Sequence, residues 1–186
     1  MLGTLVHDPA TLFLLPAETH DAFAGAERGA TPVPVGAATA EVDAALELFA
    51  ALLPSQERET QVSAAEYLLA ASRSSSLERN PGRRMAVLVN GVVSLLGALR
   101  TAMHRGGAAR SAAGFANERV NTAVRQLAHA ALLQGDAQLR GAAGEMYGRL
   151  AAVAGSHALS AQMHFLLEQI VGNRNADARA SCALAA

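Results

Sequence analysis

The chain has 186 residues, 51% of them apolar, and a formal net charge of −1. That apolar share is ample for a core, and the near-neutral balance excludes a general electrostatic pull toward nucleic acid or anionic membrane. Ala dominates, aromatics are 4% and Trp is absent, a mixture that forms helices readily and lacks the alternating β-branched runs of a sheet.

All 15 basic residues are Arg. Together with the abundant Ala this reads as GC-rich codon usage rather than a phosphate-binding design. The single cysteine, Cys182, has no partner for a disulfide or a metal cluster and fits a reducing compartment.

The N-terminal stretch MLGTLVHDPATLFLLPAETH is apolar but has no basic start, and His7, Asp8 and Pro9 interrupt it. It does not read as a signal peptide. Residues 1–38 as a whole are expected to be irregular, because Pro9, Pro16, Pro32 and Pro34 with Gly25, Gly29 and Gly36 break any long periodicity.

From Thr39 onward helical spacing takes over. Val42, Leu46, Phe49 and Leu53 make one face of a first helix that stops at Pro54. Ser55 is expected to cap a second helix with Glu57 and Glu59 in its first turn, Val62, Ala65 and Leu69 inward, and the run SRSSS at its end.

The third helix should be the longest. Asn80 is placed to cap it, Pro81 occupies its first position, and Met85, Leu88, Val92, Leu95, Leu99 and Met103 follow at helical intervals. Val87, Val89 and Val93 on the other side call for cover on two faces. Met85 to Leu99 is the most membrane-like stretch, but it is short, carries Asn90, and reads better as a core helix.

The segment RGGAARSAAG then reads as a loop. A fourth helix follows from near Asn117 to Gln134 with Val120, Val124, Leu127 and Ala131 inward, ended by Gly135 at positive φ. Asp136 caps the fifth, with Leu139, Ala143, Met146, Leu150 and Val153 inward, and Gly155 closes it. The sixth starts at Ser156 or His157 with Leu159, Met163, Leu166 and Ile170 inward, and Asn175 caps a seventh.

Three of these starts share a pattern. Asp136 is followed by Arg140 and Ala143; Asn175 by Arg179 and Cys182; Asn80 by Arg84 and Val87. Each has an Asx cap, an Arg four positions on, and a small or apolar side chain three further. Asp136 and Asn175 are separated by the length of one helix pair. The interval from Asn80 to Asp136 is longer because of the long third helix and its loop.

A period near 40 with two helices per unit points to an all-α array of the HEAT or armadillo type, a solenoid of antiparallel helix pairs over residues 39–186. The Arg is expected to reach the cap of a neighbouring repeat.

The stretch from Leu77 to Ala185, including SLERNPGRRMAVLVNGVVSLLGALRTAM, QLRGAAGEMYGRLAAVAG and QIVGNRNADARASCALA, resembles the HEAT repeat-containing protein 5 family, whose fungal branch is the large accessory protein of the clathrin adaptor complex. Val42 to Pro54 fits more loosely, and the N-terminal segment before Thr39 hardly at all. The resemblance implies a non-catalytic cytosolic factor, peripheral at Golgi and endosomal membranes, with the clathrin adaptor complex as its partner. Family members are far longer, so the chain is expected to be a fragment, truncated within the array at its C-terminus.

No residue pattern supports chemistry. The six histidines (His7, His20, His104, His129, His157, His164) form no HExxH or Cys/His cluster. Glu145 and Glu168 lack a partner carboxylate at a defined spacing. The serines of SRSSS have no G-x-S-x-G context, and no glycine-rich loop follows a strand. No catalytic, cofactor-binding or metal residue, nucleic-acid partner or small-molecule substrate is therefore expected. Asn80, Arg84, Asp136, Arg140, Asn175 and Arg179 are structural repeat positions. A HEAT-type scaffold for nuclear transport or phosphatase assembly is the alternative.

Overall fold

A computed structural model describes residues 37–104, 114–153 and 156–186. Within them the chain forms seven α-helices and no strand: α1 (Ala37–Leu52), α2 (Arg58–Ser72), α3 (Pro81–His104), α4 (Glu118–Leu132), α5 (Ala137–Val153), α6 (Ser156–Gly172) and α7 (Ala176–Ala185). The protein is all-α. The irregular segment expected over residues 1–38 lies outside the described residues except for Ala37 and Ala38, which are already helical. The loop at Arg105–Ala113 and the stop at Gly155 also lie outside them.

Most helices begin where their caps place them. The Asn80 carboxamide accepts from the Arg83 N–H at 3.0 Å. That of Asn117 accepts from Arg119 and Val120, and that of Asn175 from Asp177 and Ala178. The Asp136 carboxylate accepts from Leu139 N–H at 2.7 Å. These oxygens satisfy amides that have no partner within their own helices.

Ser55 does not cap α2. Its hydroxyl donates back to the Leu52 carbonyl at 2.7 Å, and Glu57 is the N-cap without a side-chain bond. The reason is Pro54, which extends α1 into a 3-10 turn over Leu53–Ser55 and draws Ser55 into that turn. Three carbonyls around the turn, those of Leu53, Pro54 and Gln56, accept from the buried Gln61 amide on α2.

Gly135 also departs from expectation. Its φ is not positive, since α4 already closes at Leu133 with ordinary right-handed geometry (φ −91°, ψ 2°). No left-handed residue is needed there.

The helices pack on the next but one and, for α4 with α5 and α6 with α7, as closely on their neighbours. α1 lies on α3, α3 on α5 and α5 on α7, while α2 lies on α4. α6 joins the second row through its Phe165 ring, stacked 3.5 Å from His129 of α4. Contacts of α3 with α2 and α4, of α4 with α5 and of α6 with α7 stitch the rows together.

The core follows the seams. Leu95, Leu96 and Leu99 of α3, Leu127 and Leu132 of α4, and Leu139, Met146 and Leu150 of α5 are all essentially sealed from solvent. Each such side chain contributes about 2 kcal/mol relative to exposure. On α6 Met163, Leu166 and Ile170 pack on the core as their spacing suggested, but Leu159 does not. Leu159 is 42% exposed, whereas Gln162 is 2% exposed and Leu166 is 1% exposed.

α3 is the axis of this arrangement. Every residue from Ala86 to Arg100 is buried, so its cover extends beyond the two faces its valines required. At 24 residues the helix is long and apolar enough to cross a membrane, but most of its apolar window is buried against the other helices.

Candidate interaction surface

The repeat positions are built alike at two of their three occurrences. From its place one turn past the Asp136 cap, Arg140 folds back and donates from Nη1 to the carbonyls of Gln134 and Gly135, at 3.0 and 2.6 Å. Arg179 donates in the same way to the carbonyls of Asn173 and Arg174, at 3.0 and 3.4 Å. In both cases the acceptors lie six and five positions before the Arg, so one local geometry recurs a full helix pair later.

These arginines therefore clamp the turn that precedes their own helix rather than reaching a neighbouring cap. One contact does cross between pairs: Arg140 Nε donates to Ser181 Oγ of α7 at 2.7 Å.

Arg84 breaks the pattern. It is exposed and makes no such bond. The connection from α2 to α3 is longer and holds a 3-10 turn at Ser75–Leu77, whose own hydrogen bonds organise the approach to Asn80. There is no tight two-helix turn for Arg84 to clamp.

A second arginine network ties α3 to α5, and the sequence did not signal it. Arg100 is 4% exposed. Its Nε donates to Glu145 Oε1 at 2.7 Å and its Nη2 to Glu145 Oε2. Arg149, one turn along α5, donates to Oε1 at 2.7 Å. Burial works against ionising Glu145 more than any other influence, but the hydrogen bonds and charges of the two arginines together hold its pKa below the ordinary value. The group is a structural ion cluster.

At the surface, Arg119 of α4 makes a fork to Glu66 of α2 at 2.9 and 2.8 Å. Hydrogen bonding and charge from Glu66 raise its pKa. An exposed pair of this kind adds little stability.

His129 sits between two rings, Tyr147 of α5 at 5.4 Å and Phe165 of α6 at 3.5 Å. Burial, reinforced by the charges of Arg125 and Arg73, lowers its pKa to about 4. It is a packed neutral ring. His164 lies 3.2 Å from Glu168 on the outside of α6. Among the described residues no three His, Cys, Asp or Glu side chains gather as a metal site. Cys182 is fully buried, and desolvation raises its thiol pKa.

Among the described residues two apolar surfaces stand open besides the exposed Leu48 and Leu52 of α1 and Leu184 of α7. A groove of about 580 Å³ runs between α1 and α2, lined by Val42, Leu46, Phe49, Ala64, Tyr67 and Leu68, with Ser94 of α3 also contributing. Tyr67 at its edge is 65% exposed. The other is on α6, where Leu167 is 54% exposed and Val171 is 86% exposed. Exposed apolar side chains gathered in this way mark surfaces that contact a partner or a ligand.

Comparison with known protein families, curated proteins and solved structures returned no match. The class that stands is an all-helical protein, with apolar side chains open to solvent among the described residues.

Proposed function

We propose that the chain is a HEAT-type helical array that acts as a non-catalytic scaffold for other proteins. The observation that carries this reading is the clamp at Arg140 and Arg179, the same hydrogen bonds made at matching places in successive helix pairs. The next-but-one packing of the helices is also what an array of stacked pairs requires. Such a molecule offers surfaces along its length, with caps, clamps and ion pairs holding the helices in place.

The particular role we assign is in clathrin-adaptor-dependent traffic between Golgi and endosomes, with the chain cytosolic and held at membranes through its partners. The resemblance of Leu77–Ala185 to the HEAT repeat-containing protein 5 family supports that role. A HEAT-type scaffold serving nuclear transport or phosphatase assembly is the rival.

The test is affinity purification of the tagged chain from its own cells with quantification of co-purifying proteins. Clathrin-adaptor subunits in near-stoichiometric amount are expected. Their absence, with transport factors or a phosphatase in their place, refutes the trafficking role.

A further inference from the structure

The Arg140 clamp has one contact that the Arg179 clamp lacks. Arg140 Nε donates to Ser181 Oγ on α7, the helix packed against α5. Arg179 Nε, at the matching position, has no partner among the described residues. The side chains around it repeat the same imbalance.

A shift by the interval from Asp136 to Asn175 carries Leu132 onto Val171, Ala128 onto Leu167 and Gly144 onto Ala183. Leu132 is 0% exposed and Ala128 is 1% exposed, whereas Val171 is 86% exposed and Leu167 is 54% exposed. A β-carbon on Gly144 would lie 3.7 Å from Ala185 of α7, while Ala183 is exposed. In the first pair these positions are covered; in the second they are apolar or small and uncovered.

From this continuity we infer that the outer face of α6 and α7 is a docking surface for another helix pair of the same type. The occupant would carry an apolar stripe for Leu167 and Val171 and a small hydroxyl side chain to accept from Arg179 Nε. The inference rests on the array reading above and is independent of the trafficking role.

A pair with these properties can be supplied from the chain itself. Residues 148–186 make one unit as long as the interval from Asp136 to Asn175. Appended after Ala186, a copy places its own serine as far beyond Arg179 as Ser181 lies beyond Arg140. The extended chain is expected to unfold in one cooperative transition, with its melting midpoint raised by about 5 °C. Val171→Asp should abolish that gain in the extended chain and leave the midpoint of the original chain unchanged. Arg179→Lys should remove part of the gain.

An added unit that is cleaved by protease as readily as an unfolded peptide, with no rise in midpoint, overturns the inference. So does a concentration-dependent dimer of the original chain that Val171→Asp dissolves, because the occupant is then a whole second copy. If the added unit docks while adaptor subunits never co-purify, the trafficking role fails and the docking surface stands.

Discussion

Replacing Gly97 by Ala puts a methyl group 2.8 Å from the Cβ of Ala50, where α3 and α1 meet. Carbon atoms in contact rest at about 3.5–4.0 Å, and Ala50 Cβ cannot rotate away because it is fixed to the backbone. Relief requires α1 to move off α3 by several tenths of an ångström along a seam that also buries Val42 and Leu46. Overpacking of this sort costs about 1–3 kcal/mol, against a gain of about 1 kcal/mol from removing a glycine in a helix interior. Gly91→Ala is the control. Its new methyl would lie 3.2 Å from Leu127 Cδ2, the end of a side chain that can adjust. Gly91→Ala should therefore be neutral or stabilising by up to about 1 kcal/mol, and Gly97→Ala should fall about 1–3 kcal/mol below it. Urea unfolding of the full chain, followed by helical circular dichroism, measures both. If Gly97→Ala is as stable as Gly91→Ala with an unchanged urea slope, the close approach of α1 and α3 is not where it is drawn.

Glu145→Ala should cost about 3–5 kcal/mol, because it leaves the buried Arg100 charge without its carboxylate. Adding Arg100→Met should restore much of the loss, and a double-mutant cycle in urea reads the coupling. Asp136→Ala removes the acceptor for Leu139 N–H and should cost about 0.5–2 kcal/mol, seen as a lower melting midpoint. An unchanged midpoint counts against the cap.

His129 predicts a loss of stability in mild acid. Its folded pKa of about 4 lies below the ordinary 6.5, so the unfolded chain binds the proton more readily. Stability is full above pH 6.5 and falls as pH drops toward 4. The ceiling of about 3 kcal/mol, discounted for a ring partly open to solvent, becomes about 1–2 kcal/mol. Unfolding free energies between pH 7.5 and 4.5 should drop less in His129→Gln than in the parent chain.

The helices themselves were largely legible, because caps and apolar spacing are local signals. Asn80, Asn117, Asp136 and Asn175 each announce a helix start, and the long apolar run of α3 announces a core helix. What failed depended on neighbours. Ser55 has the composition of a cap, but Pro54 makes a competing turn that takes its hydroxyl. On α6 Met163, Leu166 and Ile170 face the core as their spacing suggested. The burial of Gln162 and the stacking of Phe165 on His129 depend on neighbouring helices that no spacing within α6 encodes. The Arg100–Glu145 pair joins positions 45 apart and leaves no periodic trace. The Arg–turn clamps were half legible: their recurrence is plain in the sequence, but the carbonyls they grip appear only with the fold.

The burial of α3 also sets a hazard during synthesis. The helix is complete at His104, but α5, which covers one of its sides, is finished only at Val153. At about 5–20 residues per second the ribosome needs roughly 2–10 s to make that cover. For that interval the nascent chain displays a 24-residue apolar helix of membrane-spanning length. Factors that scan emerging polypeptides for such segments would meet it before the rest of the protein can hide it.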